Sequence, residues 1–426
     1  MESTVRVAII GGNRIPFVRS HTHYKNASNL DMLTASLKGL VQRFDLEGER
    51  LGEVAAGAVM KHTKDFNLAR EATLSSSLSP RTPAYDVQQA CGTGLEAAIL
   101  VANKIALGQI DCAIAAGADT ASDVPIGVNE SYRQMLLDLN RAKTVGQRLK
   151  ILTRFRPSFI FPQIPANVEP RTGLSMGQHC EIMAKHWGIT REEQDQLTYN
   201  SHQNLIAAYD SGFFNDLISP FNGVERDGIM RNTPMEKLAQ LRPAFDRQSG
   251  TLTAANSTTL TDGAAAVLLA SEEWADSRNL PIQAYLTHSE VAAVDFHSQG
   301  EKSEGLLMAP AYAVPRLLKK AGLSLQDFDF YEIHEAFAAQ VLCTLKAWES
   351  EEFCATKLGL SRPLGSIDRS KLNVKGSSVA TGHPFAATGA RIIATLAKIL
   401  QQNGGGRGLI SICAAGGQGV TAIVEA

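Results

Sequence analysis

Two of the six cysteines and two of the ten histidines stand where their residue types can do chemistry. Cys91 follows the strand-like run Tyr85-Asp86-Val87-Gln88-Gln89-Ala90 and precedes Gly92-Thr93-Gly94, a strand-to-helix junction. Free backbone N–H groups at a helix N-terminus favour a thiolate, so a lowered thiol pKa is expected there. The glycines let the backbone come close to a substrate. His383 lies in the turn Thr381-Gly382-His383-Pro384-Phe385, just before a helix, and is the best candidate base for a cysteine nucleophile. Cys413 ends a buried apolar run at Ala414-Ala415-Gly416-Gly417-Gln418-Gly419, whose small residues leave room for a ligand. His334 opens His334-Glu335-Ala336-Phe337-Ala338 after the strand-like Phe328–Ile333, and a helix is expected to begin there. Each has a bland reading beside the chemical one: a small buried hydrophobe for a cysteine, a capping or packing ring for His334. His21 and His23, in a polar segment, read as solvated.

The elements that must position these residues form a repeat. After Cys91, apolar residues at Leu95, Ala98, Ile99, Ala102, Ile105 and Ala106 predict a helix, closed by Gly108 and followed by a strand over Asp111–Gly117. After His383, Thr388-Gly389-Ala390-Arg391 opens a helix running through Leu400 to Asn403-Gly404. The strand Leu409–Cys413 follows it. Thr93-Gly94 and Thr388-Gly389 hold the same place in two copies about 300 residues apart, too long a period for a solenoid. Upstream, Leu37–Val59 and Val314–Glu335 match as helix then strand. Alternating strands and helices favour parallel or mixed sheets covered by helices. The expected division is 1–122, a first half; 123–258, an insertion; 259–279, a return to the first half; and 280–426, a second half. Within the insertion, helices are expected over Gln178–Trp187 and, capped by Thr190 with Glu193 three on, over Arg191–Asp210.

Composition narrows the class. The chain has 426 residues with a formal net charge of -2, without the basic surplus of a nucleic-acid binder. No apolar run reaches the ~20 residues that span a bilayer, and the strand-like MESTVRVAIIGG is too short and too soon interrupted for a secretory signal. The scattered cysteines form no CxxC or Cys/His ladder, so no metal site is expected, and they suit a reducing compartment such as the cytoplasm. There is no GxxxxGK[ST], and no GxGxxG between strand and helix, which excludes a P-loop or dinucleotide fold. The insertion carries Arg141, Lys143, Arg148, Lys150, Arg154 and Arg156 with no acidic residue among them, then the aromatic Pro157–Pro162. A solvated lid and a docking surface for a partner or a membrane both fit that stretch.

Taken together and in order, CGTG at Cys91, HEAF at His334, GHPFAATGAR from His383 to Arg391 and CAAGGQG at Cys413 resemble the thiolase family over essentially the whole chain. Thr253-Ala254-Ala255-Asn256, Asp262-Gly263-Ala264-Ala265 and Gly173-Leu174-Ser175-Met176-Gly177 match it as well. The resemblance implies an α/β fold of two similar mixed five-stranded halves in layers sharing central helices, with an inserted loop domain over the coenzyme A site. It implies that Cys91 takes the acyl group, His383 activates it, and Cys413 exchanges a proton with the acetyl-CoA carbon. His334 and His383 would hold the enolate oxygen, and the backbone N–H groups of Cys91 and Ala415 the oxyanion at the attacked carbon. Two departures stand out: His334 where many members have Asn, and Ala415 where glycine is usual, which requires a φ that suits an L-residue. Ser175 and Thr258 likewise replace a histidine and a serine. Thr258, Asn256, Met176 and Arg231 are the residues carried over to coenzyme A.

HEAF with Ala-Ala-Gly-Gly-Gln is most similar to the β-subunit branch of the fatty-acid oxidation trifunctional complex. That implies degradative cleavage of 3-ketoacyl-CoA, with coenzyme A as substrate and no permanently bound cofactor. It also implies a homodimer or higher oligomer and an α subunit with hydratase and dehydrogenase activities as partner. Two alternatives stay open: acetoacetyl-CoA thiolase working in condensation, and a noncatalytic acyl-CoA binder, which would need none of Cys91, His383 and Cys413.

Overall fold

Successive side chains of a strand point to opposite faces, and a sheet covered by helices on both sides needs apolar residues on both. The computed structural model describes residues 5–298 and 303–426. Its strands are β1 (Val7–Arg14), β2 (Val18–Arg19), β3 (Glu53–Ala56), β4 (Ala84–Asp86), β5 (Cys112–Asp119), β6 (Thr261–Ser271), β7 (Ala284–Ala293), β8 (Phe330–Ile333), β9 (Arg407–Ala414) and β10 (Gln418–Glu425). Residues 1–4 of the N-terminal segment read as a strand lie outside the described residues.

The strands are ordered β4-β3-β5-β6-β1 and then β7-β10-β9-β8, with β2 beside β6. The expected repeat is visible in the pairing. β3/β5 and β8/β9 are parallel; β5/β6 and β9/β10, then β6/β1 and β10/β7, are antiparallel. The fifth strand differs between the copies. β4 lies parallel to β3, but its counterpart beside β8 is a single parallel bridge, Tyr331 to Leu372. The halves also meet at their edges, where Ala8 pairs with Tyr285 and Ile9 with Ala284.

Side-chain alternation builds the layers. Ala113 and Ala115 of β5, with Ile410 and Ile412 of β9, face a shared core with helices Thr93–Ala106 and Thr388–Asn403. Cys112, Ile114 and Ala116 face the other way, toward helices Asn29–Arg43 and Leu68–Ser75. Leu409 and Ile423 face helices Ala309–Ala321 and Ala338–Glu349. Helices, sheet, central helices, sheet and helices therefore stack in that order.

The two central helices touch at their glycines. A Cβ on Gly389 would lie 2.0 Å from the Leu95 nitrogen, and one on Gly94 2.6 Å from the Ala386 carbonyl oxygen. Any side chain here would force the helices apart. Their crossing brings the two helix N-termini together, and with them the loops bearing Cys91 and His383. Between β5 and β6 the chain leaves the sheet. There it forms helices Glu130–Arg141, Val145–Leu152, Met176–His186 and Arg191–Asp210. Thr190 and Glu193 form the expected capping box. The helix expected from Gln178 begins at Met176 instead, because Ser175 is its N-cap and Gln178 closes that box.

Candidate active site

Cys91 is presented by a tight, strained turn. Ala90 has φ +46°, the left-handed region that costs an L-residue roughly 1–2 kcal/mol. Thr93 Oγ1 accepts the Gln89 N–H at 2.8 Å and donates to the Ala90 carbonyl at 2.7 Å, holding the turn in that shape. Gln89 Nε2 then donates to Gln418 Oε1 at 3.0 Å, tying the nucleophile loop to the second half.

His383 lies between Gly382, at φ +104°, and a short 3-10 turn over Phe385–Ala387. Its N–H donates to Thr261 Oγ1 at 2.7 Å, and its Nδ1 sits 2.6 Å from Thr388 Oγ1. The Ala386 N–H donates to Asp119, which also accepts from Val59 and Met60. His334 departs from the expectation that it opens a helix: the helix starts at Ala338. The physical reason is Glu335, whose buried carboxylate accepts from Ser201, Asn373 and the Val379 N–H and so holds residues 334–337 as a loop. His334 Nδ1 lies 2.7 Å from Ser378 Oγ.

These loops converge. The His334 and His383 rings are 4.1 Å apart at 48°, and the donor atoms of Cys91, His334 and His383 all lie within 4.8 Å of one another. Nε2 of each histidine is buried and has no partner within the protein. Cys413, on β9, is 1% exposed and close enough to Cys91 to disfavour ionising both. The trio also groups three donor atoms that a soft cation could use. Its protonation states, however, suit proton transfer between a thiol and an imidazole.

The expected lowering of the Cys91 pKa is corrected. Burial pushes the thiol up to about 12, although the backbone N–H groups of Ala415 and of Cys91 itself pull it down. Two N–H dipoles do not outweigh desolvation of a thiolate. Burial and the Arg391 charge push His383 down to about 3, and His334 is lowered by burial, then by His383 and Arg391. The resting pair is therefore a neutral thiol and a neutral imidazole, and sulfur becomes nucleophilic only as its proton moves.

These buried rings make the fold acid-sensitive. Unfolded histidine titrates near ~6.5. Below that, the unfolded chain binds protons that His383, His334 and His202 (pushed down to about 4 by burial) refuse. Stability should be fully present above pH ~6.5 and fall as pH drops toward about 4, each ring contributing a slope near ~1.4 kcal/mol per pH unit. Urea midpoints at pH 7 and pH 5 measure this. The midpoint should fall at pH 5, and by less in His334→Asn; equal shifts in both proteins would refute it.

The other expected residues divide. The Ala415 N–H points at the Cys91 sulfur, and Ala415 keeps an ordinary φ because Gly416 (+79°) and Gly417 (+70°) take the left-handed positions. Met176 packs on the apolar cluster that contains Cys413. Thr258 is half-buried, and its N–H donates to the Ala336 carbonyl at 3.0 Å, beside the His334 loop. Arg231 is exposed with Arg19 as a like-charged neighbour. Asn256 lies within its own loop. It is fully buried, donates to Asp195 Oδ1 and the Thr251 carbonyl, and accepts the Thr253 N–H. Its amide helps hold that loop, with one carbonyl lone pair left over. Reading motifs by their reactive residues passed over Thr261, Thr388 and Asp119, although Thr388 stands inside the TGAR motif.

Comparison with known proteins agrees with this arrangement. Residues 7–273 match the family described as "Thiolase, N-terminal domain" and residues 288–426 "Thiolase, C-terminal domain". The chain belongs to the thiolase family and is an acyltransferase. It is 42% identical over 427 aligned positions to the 3-ketoacyl-CoA thiolase of Yersinia pestis (strain Pestoides F), covering 99% of this chain and 97% of that protein. The 3-ketoacyl-CoA thiolase of Yersinia pseudotuberculosis serotype O:1b (strain IP 31758) is equally similar. Among solved structures, the Bacillus anthracis acetyl-CoA acetyltransferase superposes with a TM-score of 0.82 at 30% identity, covering 100% of both chains.

Proposed function

We propose that this chain is a 3-ketoacyl-CoA thiolase of β-oxidation. It cleaves a 3-ketoacyl-CoA with coenzyme A into acetyl-CoA and an acyl-CoA two carbons shorter. The observation that carries this reading is one thiol, Cys91, within 4.8 Å of a ring nitrogen of each of two buried imidazoles, whose Nε2 atoms have no protein partner. The greater identity to 3-ketoacyl-CoA thiolases than to the acetyltransferase supports the degradative direction.

Each group then has a role. His383 Nε2 takes the Cys91 proton as sulfur attacks the C3 ketone, and the N–H groups of Cys91 and Ala415 hold the oxyanion. The C2–C3 bond breaks toward the thioester, whose enolate oxygen rests between His334 and His383. Cys413 gives its proton to C2, releasing acetyl-CoA. Incoming coenzyme A returns a proton to Cys413 and attacks the acyl-Cys91 carbonyl. Cys91 leaves and recovers its proton from His383, closing the cycle.

Coenzyme A lies under the insertion, in the division 1–122, 123–258, 259–279 and 280–426. Thr258 and Met176 border its thioester end, and Arg231 with Arg19 offers its phosphates two cations whose mutual repulsion a polyanion relieves. Val145, Leu149, Leu152, Ile160, Phe161 and Ile164 are exposed in the basic segment, which suits an α-subunit surface. Among the described residues no helix is long and apolar enough to cross a membrane. The enzyme works as a homodimer or larger assembly. Its six free cysteines fit the cytoplasm.

A thiolysis assay over 3-ketoacyl-CoA chains of about four to sixteen carbons tests the reading. Turnover of chains well beyond four carbons, with acetyl-CoA as product, is expected. Activity confined to the four-carbon substrate would replace this reading with acetoacetyl-CoA thiolase, and binding without turnover would remove catalysis altogether.

A further inference from the structure

Hydrogen-bond donors behind the His334 ring determine which of its nitrogens carries the proton. Arg391, 2% exposed, donates from Nη2 to Ser378 Oγ at 2.8 Å. A guanidinium only donates, so Ser378 accepts there and has a single O–H left to give. Its remaining partner in the chain is His334 Nδ1, at 2.7 Å. The second lone pair of Ser378 Oγ could accept from an Nδ1–H, but the buried hydroxyl proton would then have no acceptor among the described residues. Hydroxyl proton and Nδ1 are paired together only when Ser378 donates to Nδ1. Nδ1 is then an acceptor, and the proton of the neutral ring sits on Nε2. That Nε2 is buried and has no partner in the protein, and its ring is grouped with Cys91 and His383. A buried N–H without a partner is costly, and a substrate oxygen placed there would relieve it. Glu332, 1% exposed, stands 3.8 Å behind Arg391 and favours its charged form.

We propose that Ser378, oriented by Arg391, is a positioning residue that fixes His334 as its Nε2–H tautomer. The ring then donates directly to a thioester oxygen of the substrate and needs no water between them. The inference rests on the thiolase reading above and adds to it the origin of the His334 donor. It also separates the two histidines: His383, whose Nδ1 faces Thr388 Oγ1 instead, needs the opposite tautomer to accept the Cys91 proton.

A double-mutant cycle on thiolysis tests the proposal. Ser378→Ala should lower kcat by about 10- to 100-fold and move KM less than threefold, the scale on which positioning groups act. In a His334→Asn background, which has no tautomer to fix and holds a water instead, Ser378→Ala should cost less than about twofold. Ser378→Thr should restore most of the loss. Equal losses in both backgrounds would mean that Ser378 only supports Arg391 and would overturn the proposal. If Ser378→Ala does not fold, ring-15N-histidine spectra of the unmodified enzyme give a second answer. The resonances absent from His334→Asn should show a protonated Nε2 and an unprotonated Nδ1, and the reverse assignment would overturn the proposal. Wild-type enzyme without thiolysis would instead sink the functional reading, while the same spectra would still decide the tautomer.

Discussion

Cys91→Ser should abolish acyl-enzyme formation and lower thiolysis by roughly 10⁴-fold or more, the scale on which loss of a nucleophile acts. The argument starts from protonation. The Cys91 thiol is already held up to about 12 by burial, so it attacks only as His383, held down to about 3, takes its proton while the negative charge passes to the oxyanion. A hydroxyl releases its proton far less readily than a thiol and is a weaker nucleophile toward a ketone, while the same imidazole is the only base offered. Serine is nearly isosteric, and the strained Ala90 turn with its Thr93 bonds does not involve the sulfur, so the fold should survive. Intact-mass spectrometry after mixing with a 3-ketoacyl-CoA should show an acyl adduct on the wild type and none on the variant. Turnover within tenfold of wild type would remove Cys91 as nucleophile.

The reactive residues were legible because each sits in a short motif whose neighbours are small, and small neighbours are a local property. The repeat was legible for a related reason. Gly94 and Gly389 are needed at one crossing, so the same dipeptide recurs where the two helices touch. Protonation was not legible. A helix N-terminus near Cys91 argues for a thiolate, but desolvation by residues hundreds of positions away outweighs it, and no local pattern records that. The bonds of Asn256 were hidden in the same way: its motif was recognisable, whereas its donation to Asp195 and Thr251 depends on the folded loop. Glu335 shows the converse, since a histidine followed by Glu-Ala-Phe-Ala looks helical until three donors from other segments claim the carboxylate. Ser378 and Thr388 were hidden because hydroxyls that orient a ring look like any serine or threonine beside a helix.

Cys413→Ala should separate the two halves of the reaction. Cys413 stands on β9 with 1% exposure, and burial, with Cys91 nearby adding to it, raises its pKa well above that of an ordinary thiol. A protonated thiol in that position is an acid toward a carbanion, not a second nucleophile. Alanine keeps the Cβ and the apolar cluster with Met176 but removes both the proton that C2 needs and the group to which coenzyme A returns one. Acylation of Cys91 by a 3-ketoacyl-CoA is complete before C2 is protonated and should continue for one turnover. Exchange of the acetyl-CoA methyl hydrogens with deuterated solvent should fall by about 10²- to 10⁴-fold, as expected for removal of a general acid–base group. The deletion leaves a small void, at a cost of about 1 kcal/mol, which a modest drop in melting temperature would register without abolishing folding. Following both reactions on one preparation makes the comparison internal. Undiminished exchange would take Cys413 out of the chemistry. Loss of acylation and exchange together would mean that Cys413 acts through the position of Cys91, because C2 is protonated only after the acyl group has reached Cys91.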